Sequence, residues 1–118
     1  MLAFALLLGC MKAPVETGLA SWYGPGFQGR PTASGETFRP WRRTAAHQTL
    51  PFGTVLRVTR VDTGRSVRVV INDRGPFVEG RIIDLSRRSA RRLRMLDVGV
   101  SEVEIRIVGC KERYGRCP

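Results

Sequence analysis

Two aspartates eleven positions apart, Asp73 and Asp84, each stand at the end of a short apolar run, 67–71 and 82–83. Between them Arg74-Gly75-Pro76 breaks regular structure and forces a turn. Strands that feed a tight loop fix what the loop displays, so the stretch 70–86 is built to hold two carboxyl groups in place. Two carboxyls are the minimum equipment of glycosidic-bond chemistry, in which one protonates the leaving oxygen and the other acts across the sugar. Each aspartate also has a plainer role open to it. Asp73 can satisfy turn amides or pair with Arg74, and Asp84, just before Leu85-Ser86, can support the start of a following helix. The lone histidine, His47, either tunes the acid or holds the sugar, or is a hydrogen-bonded structural residue. A histidine with two carboxylates can form a facial metal triad. No supporting shell is recognisable around these three and zinc-type Cys/His spacing is absent, so neither metal nor cofactor is expected.

The elements that must position these groups are mostly strands. Thr54–Val61 and Ser66–Ile71 are rich in β-branched residues and joined by Asp62-Thr63-Gly64-Arg65, which reads as a hairpin. Val67, Val69 and Ile71 share a face, and continued alternation puts Asp73 on the same side. Gly18–Gly24 reads as a first strand, Pro25–Gly35 as loop, Ile82–Leu85 as a short strand, and Glu102–Val108 as an alternating last strand. The stretch Phe38–Ala46 has no clear period. Ser86 is placed to N-cap a helix over Arg87–Met95, with Ala90 and Leu93 inward and five arginines (87, 88, 91, 92, 94) largely outside. Five or six short strands, long loops and one helix fit a small mixed β-barrel, closed so that no long edge is exposed.

At 118 residues the chain is one domain. Its net charge of +10 favours an anionic partner: nucleic acid, anionic lipid or a carboxylate-bearing wall polymer. The N-terminus narrows that choice. Residues 1–9 (MLAFALLLG) are apolar, too short to span a bilayer and the right length for the core of a signal peptide, although no basic residue precedes them. Leu7-Leu8-Gly9-Cys10 resembles a bacterial lipobox, in which the cysteine is acylated. With Cys10 carrying lipid, Cys110 and Cys117 remain as a pair around a six-residue loop, a plausible disulfide in an oxidising compartment. The reading divides the chain into a lipoprotein signal peptide (1–10), a tether (11–17), a barrel (18–109) and a tail (110–118).

Several blocks, taken together, carry a resemblance: GLASWYG at 18–24, GRPTASGE at 29–36, TAAHQTLPFGTVLRVT at 44–59, GRSVRVVINDRGPF at 64–77 and GRIIDLS at 80–86. In this order they resemble the bacterial rare lipoprotein A family, over almost all of 18–108. The resemblance implies a mainly β fold, a six-stranded double-psi β-barrel with one short helix related to expansins. It also implies a lytic transglycosylase that cuts peptidoglycan, with peptide-poor glycan preferred in some members, at the bacterial cell envelope and facing the periplasm. Asp73 falls on the family's catalytic aspartate, His47 on its histidine, and Asp84 on a further acid of the wider fold. Trp22, Tyr23, Thr32, Ser34, Glu36 and Arg74 are expected to bind substrate, with one of Trp22 and Tyr23 in the core. Two departures stand out: the C-terminal wall-binding repeat domain of many members is not present by Pro118, and Arg39 stands where an acid is common. The expected partners are peptidoglycan strands and, through the lipid, a membrane. Division-protein partners are left open, and nucleic acid is not expected, because export argues against it. The competing reading is an expansin-like module that grips wall glycan without cutting it; retention of His47, Asp73 and Asp84 favours the enzyme, since the fold favours neither.

Overall fold

The computed structural model describes residues 16–115 and 117; the stretch read above as a signal peptide, with Cys10, lies outside them. Six strands form: β1 (Glu16–Trp22), β2 (Thr44–His47), β3 (Thr54–Arg60), β4 (Ser66–Asp73), β5 (Arg81–Leu85) and β6 (Ser101–Cys110). One short helix, α1 (Arg87–Arg92), sits between the last two. The strands close into a barrel in the order β1-β5-β2-β4-β3-β6. The β1–β5 and β2–β4 pairs are parallel and the other four antiparallel. Every strand therefore has two neighbours, and the edge problem of a small sheet disappears. This is the closed mixed barrel with one helix that the residue pattern and the double-psi resemblance both implied.

Alternation explains the core. Leu56 and Val58 of β3, Val67, Val69 and Ile71 of β4, and Val103 and Ile105 of β6 point inward, joined by Ile83 and Leu85 of β5. Ala90, Leu93 and Met95 add the helical segment to the same cluster. Burying each of the larger side chains contributes about 1.5–3 kcal/mol. Ser86 caps α1, its hydroxyl accepting from the Ser89 amide at 3.2 Å, worth about 1 kcal/mol. The helix ends at Arg92, short of the expected Met95, because Arg94 takes a left-handed conformation (φ 54°). Leu93 and Met95 remain buried all the same.

The barrel is longer at both ends than the sequence pattern indicated. Glu16 and Thr17, assigned above to the tether, pair with Ile105 and Glu104, and β6 runs on to Cys110. β2 takes up the end of the stretch without a clear period and runs on to His47. It lies between β4 and β5 with all four residues buried, so no alternation of polar and apolar residues marks it.

Two bulges decide where the acids go. Between β1 and β5 the register passes from Leu19↔Arg81 to Ala20↔Ile83, skipping Ile82. Between β2 and β4 it passes from Ala45↔Ile71 to Ala46↔Asp73, skipping Asn72. Ala45 and Ala46 face opposite sides of their strand, so Ile71 faces the core while Asp73 faces away from it. The expected alternation from Val67 to Asp73 is thus broken at Asn72. Gly18 belongs to the same device: a Cβ there would meet Cγ2 of Ile82, the bulged residue, at 2.7 Å.

After β6 the chain turns back. Cys110 and Cys117 meet with Cα atoms 6.0 Å apart, a separation that suits a disulfide. The Lys111 amide donates to the Gly53 carbonyl at 2.7 Å. Gly53 has φ 92°, and a Cβ there would lie 2.6 Å from the Lys111 carbonyl oxygen, so the tail needs a glycine beneath it.

Candidate active site

Ser21, Asp84, Ala46 and Asp73 form one row across β1, β5, β2 and β4, each paired with the next. Paired residues present their side chains to the same face. Two interstrand steps separate the two aspartates, roughly 10 Å between their backbones. The residue between them, Ala46, is only 1% exposed, so that step of the row is covered, and the Tyr23 hydroxyl beside it reaches Asp73 and feels the charge of both aspartates.

Asp73 is held at three points. Its Oδ1 accepts from the amides of Ala33 (2.8 Å) and Arg74 (2.9 Å), and its Oδ2 accepts from the Tyr23 hydroxyl (2.6 Å). A carboxylate offers about four acceptor positions, so one remains on Oδ2 for a substrate proton. Burial, then the hydrogen bond to Asp73 and the charges of Asp73 and Asp84, push the Tyr23 hydroxyl far above the ordinary phenol range. Tyr23 therefore keeps its proton and acts as a donor. The Arg74 guanidinium does not pair with Asp73. It lies 4.1 Å from the centre of the Phe52 ring and donates to the His47 carbonyl at 3.3 Å. Asp84 has one partner, the Ser21 hydroxyl on its Oδ1; its Oδ2 has none among the described residues.

His47 sits apart from the row. It pairs with the core residue Ile83 and is only 4% exposed. Its Nδ1 accepts from the amides of Thr49 and Leu50, both at 3.1 Å. The ring proton therefore belongs on Nε2, which donates to Glu16 Oε1 at 2.7 Å. Both nitrogens are occupied, and the ring ties the start of β1 to the turn after β2.

The other candidates divide by environment. Trp22 packs against the core cluster, while Tyr23 stacks on Phe38 with ring centres 4.4 Å apart. Thr32 is buried and donates to the Glu36 carbonyl. Ser34 and Glu36 line a hollow of about 280 Å³ with Phe52, Arg113 and Tyr114. This hollow adjoins Asp73 because the Ser34 amide donates to the Asn72 carbonyl at 3.2 Å and Asn72 Nδ2 to Glu36 Oε1 at 3.1 Å. Burial pushes the Glu36 carboxyl up, but hydrogen bonds from Tyr114 and Asn72 and the charges of Arg113 and Arg42 outweigh it, leaving the group below its usual range.

Residue reasoning did not find Ser21, Glu16, Asn72, Tyr114 or the exposed Phe77 (83%). Only Phe77 carried a readable signal, an aromatic directly after the Gly75-Pro76 turn. A hollow of about 660 Å³ on another part of the surface contains neither aspartate. Its lining includes Arg42, Arg43, Arg68, Arg88, Lys111 and Arg113, and it shares Trp41 and Arg88 with a second hollow that adds Arg87, Arg91 and Arg92. Among the described residues, no acidic side chain lines either one. Among the described residues, no group of three His, Cys, Asp or Glu is placed to hold a metal ion.

A family model described as "Lytic transglycolase" matches residues 15–105, nearly the whole barrel and both aspartates. The chain belongs to the lytic transglycolase family. Among relatives, it is 58% identical over 94 residues to the "Probable endolytic peptidoglycan transglycosylase RlpA" of Nostoc sp., covering 78% of this chain and 25% of that protein. It is 50% identical over 92 residues to the "Endolytic peptidoglycan transglycosylase RlpA" of Campylobacter jejuni, covering 78% of this chain and 34% of that one. The chain thus spans a quarter to a third of these two family members. Among solved structures, the Clavibacter michiganensis expansin superposes with a TM-score of 0.62 at 27% identity, covering 79% of this chain and half of that one.

Proposed function

We propose that this chain carries a lytic transglycosylase centre that cleaves the β-1,4 bond between N-acetylmuramic acid and N-acetylglucosamine in peptidoglycan, with peptide-poor glycan preferred. The observation that carries the reading is the Asp73 carboxyl, fixed by two amides and the Tyr23 hydroxyl with one acceptor position left, in the same row as Asp84. Asp73 is the proton carrier. Its free Oδ2 position gives a proton to the leaving glycosidic oxygen, and the carboxylate then takes one from the muramic 6-hydroxyl as that oxygen closes onto C1. No water is consumed, so one such group suffices. Tyr23 and the amides of Ala33 and Arg74 keep the carboxyl oriented through both halves. Asp84 faces the positive charge that develops at C1. His47 acts by holding β1 against the turn after β2, and Ser34 and Glu36 offer hydrogen bonds to sugar hydroxyls.

Incubation of the purified protein with peptide-free and intact sacculi tests this reading. Soluble glycan fragments should appear, more of them from the peptide-free material. The expansin-like likeness supports a second reading, a module that binds wall glycan without cutting it; absence of fragments from any glycan would favour it.

The basic hollows support retention on an anionic wall polymer. Sacculus binding should weaken several-fold from 0.1 to 1 M salt, as the screening length falls from about 10 to about 3 Å. Salt-independent binding would assign affinity to the cleft alone. The lipobox-like stretch supports a membrane anchor at the cell envelope. A palmitate analogue should label the wild type and miss Cys10→Ser; label kept by the variant removes the anchor.

A further inference from the structure

The chain beyond residue 105 lies outside the family match, yet it reaches the candidate active site. After Cys110 a short 3₁₀ turn (Glu112–Tyr114) brings two side chains onto Glu36. The Tyr114 hydroxyl donates to Glu36 Oε1, and Arg113 Nη2 donates to Glu36 Oε2 at 3.3 Å and to the Tyr114 hydroxyl oxygen at 2.9 Å. Glu36 closes the loop whose Thr32 amide donates to the Glu36 carbonyl at 2.7 Å. In the same loop the Ala33 amide donates to Asp73 Oδ1 and the Ser34 amide to the Asn72 carbonyl. A continuous chain of contacts therefore runs from the tail through Glu36 and the 32–36 loop to one oxygen of Asp73. The tail is anchored at its root by Lys111 on Gly53 and closed by the meeting of Cys110 and Cys117.

We propose that Tyr114 and Arg113, carried on the cysteine-closed tail, are positioning residues that clamp the 32–36 loop through Glu36 and so hold Asp73 for the reaction. The part concerning turnover rests on the transglycosylase reading above; the clamp itself does not. The clamp lies in the tail, beyond the matched family region. Placing the clamp on Glu36 leaves the Asp73 acceptor position on the Tyr23 side untouched, so the tail sets geometry and takes no proton. Small displacements of a proton-transfer group carry large rate effects, and a hydroxyl on a carboxylate is among the stronger side-chain hydrogen bonds.

Two measurements on the whole protein separate the clamp from its consequence. Amide hydrogen exchange without substrate compares wild type with Tyr114→Phe and with Cys117→Ser. Exchange at Thr32, Ala33 and Ser34 should quicken roughly tenfold in both variants, while core amides such as Val58 and Val69 stay as they were. Unchanged exchange at the loop overturns the clamp. In Tyr114→Phe the Glu36 carboxyl carbon should also titrate at higher pH, because a hydrogen bond that favours the charged form is gone while burial by the ring remains. On glycan, Tyr114→Phe should lower kcat roughly tenfold with KM changed less than twofold. Equal kcat in variant and wild type overturns the positioning role even if the loop loosens. If wild type itself cuts nothing, the functional reading fails and the exchange data still decide the clamp.

Discussion

Asp73→Asn is expected to lower cleavage by at least about a thousandfold, the upper part of what one proton-transfer group contributes. The fold should survive. The asparagine oxygen still accepts from the Ala33 and Arg74 amides, and the Tyr23 hydroxyl can turn to accept from the new amide group. Circular dichroism and the melting temperature should match the wild type, and sacculus binding should stay within twofold. Loss of rate with binding intact is the signature of an interaction made only in the transition state. An Asp73→Asn protein that still cuts glycan at a tenth of the wild-type rate or better would move the proton carrier elsewhere, with Asp84 the next candidate.

Asp84→Asn should cost less, roughly a hundredfold in kcat, because it removes charge facing the reacting carbon but no obligatory proton. Ser21→Ala should follow in the same direction and more weakly, since the hydroxyl only aims Asp84 Oδ1. His47→Ala belongs to another class. Its side chain is buried with both nitrogens bonded, so its removal should reduce stability by about 1–3 kcal/mol as well as slow the reaction. Chemical denaturation beside steady-state rates distinguishes the two: Asp84→Asn should leave the unfolding midpoint in place, and His47→Ala should lower it. Equal losses of rate and stability in Asp84→Asn would make that aspartate a support for the start of α1.

Much of the barrel could be read from one chain because its longer strands are covered on one face only. β3, β4 and β6 alternate, and the Ser86 cap announces α1. β2 escaped notice for the opposite reason: Thr44, Ala45, Ala46 and His47 are all buried, so nothing alternates. The aspartates were legible as a pair from their place at strand ends. Their facing was not, because a bulge at Asn72 turns Asp73 away from the core side, and a bulge is a property of the partner strand's register as much as of local sequence. Ser21 and Glu16 matter through partners 63 and 31 positions away. Tyr114, 78 positions from Glu36, does so in a tail with no periodic pattern at all.

The central claim is that Asp73 serves a reaction in which the sugar's own hydroxyl, and no water, displaces the leaving oxygen. Mass spectrometry of the chain ends released from peptide-free glycan tests it most directly. Fragments should end in 1,6-anhydromuramic acid, and digestion in H₂¹⁸O should add no label at the cleaved ends. Reducing ends carrying ¹⁸O would show that water attacks, making this a hydrolase with Asp84 as the base and contradicting the account.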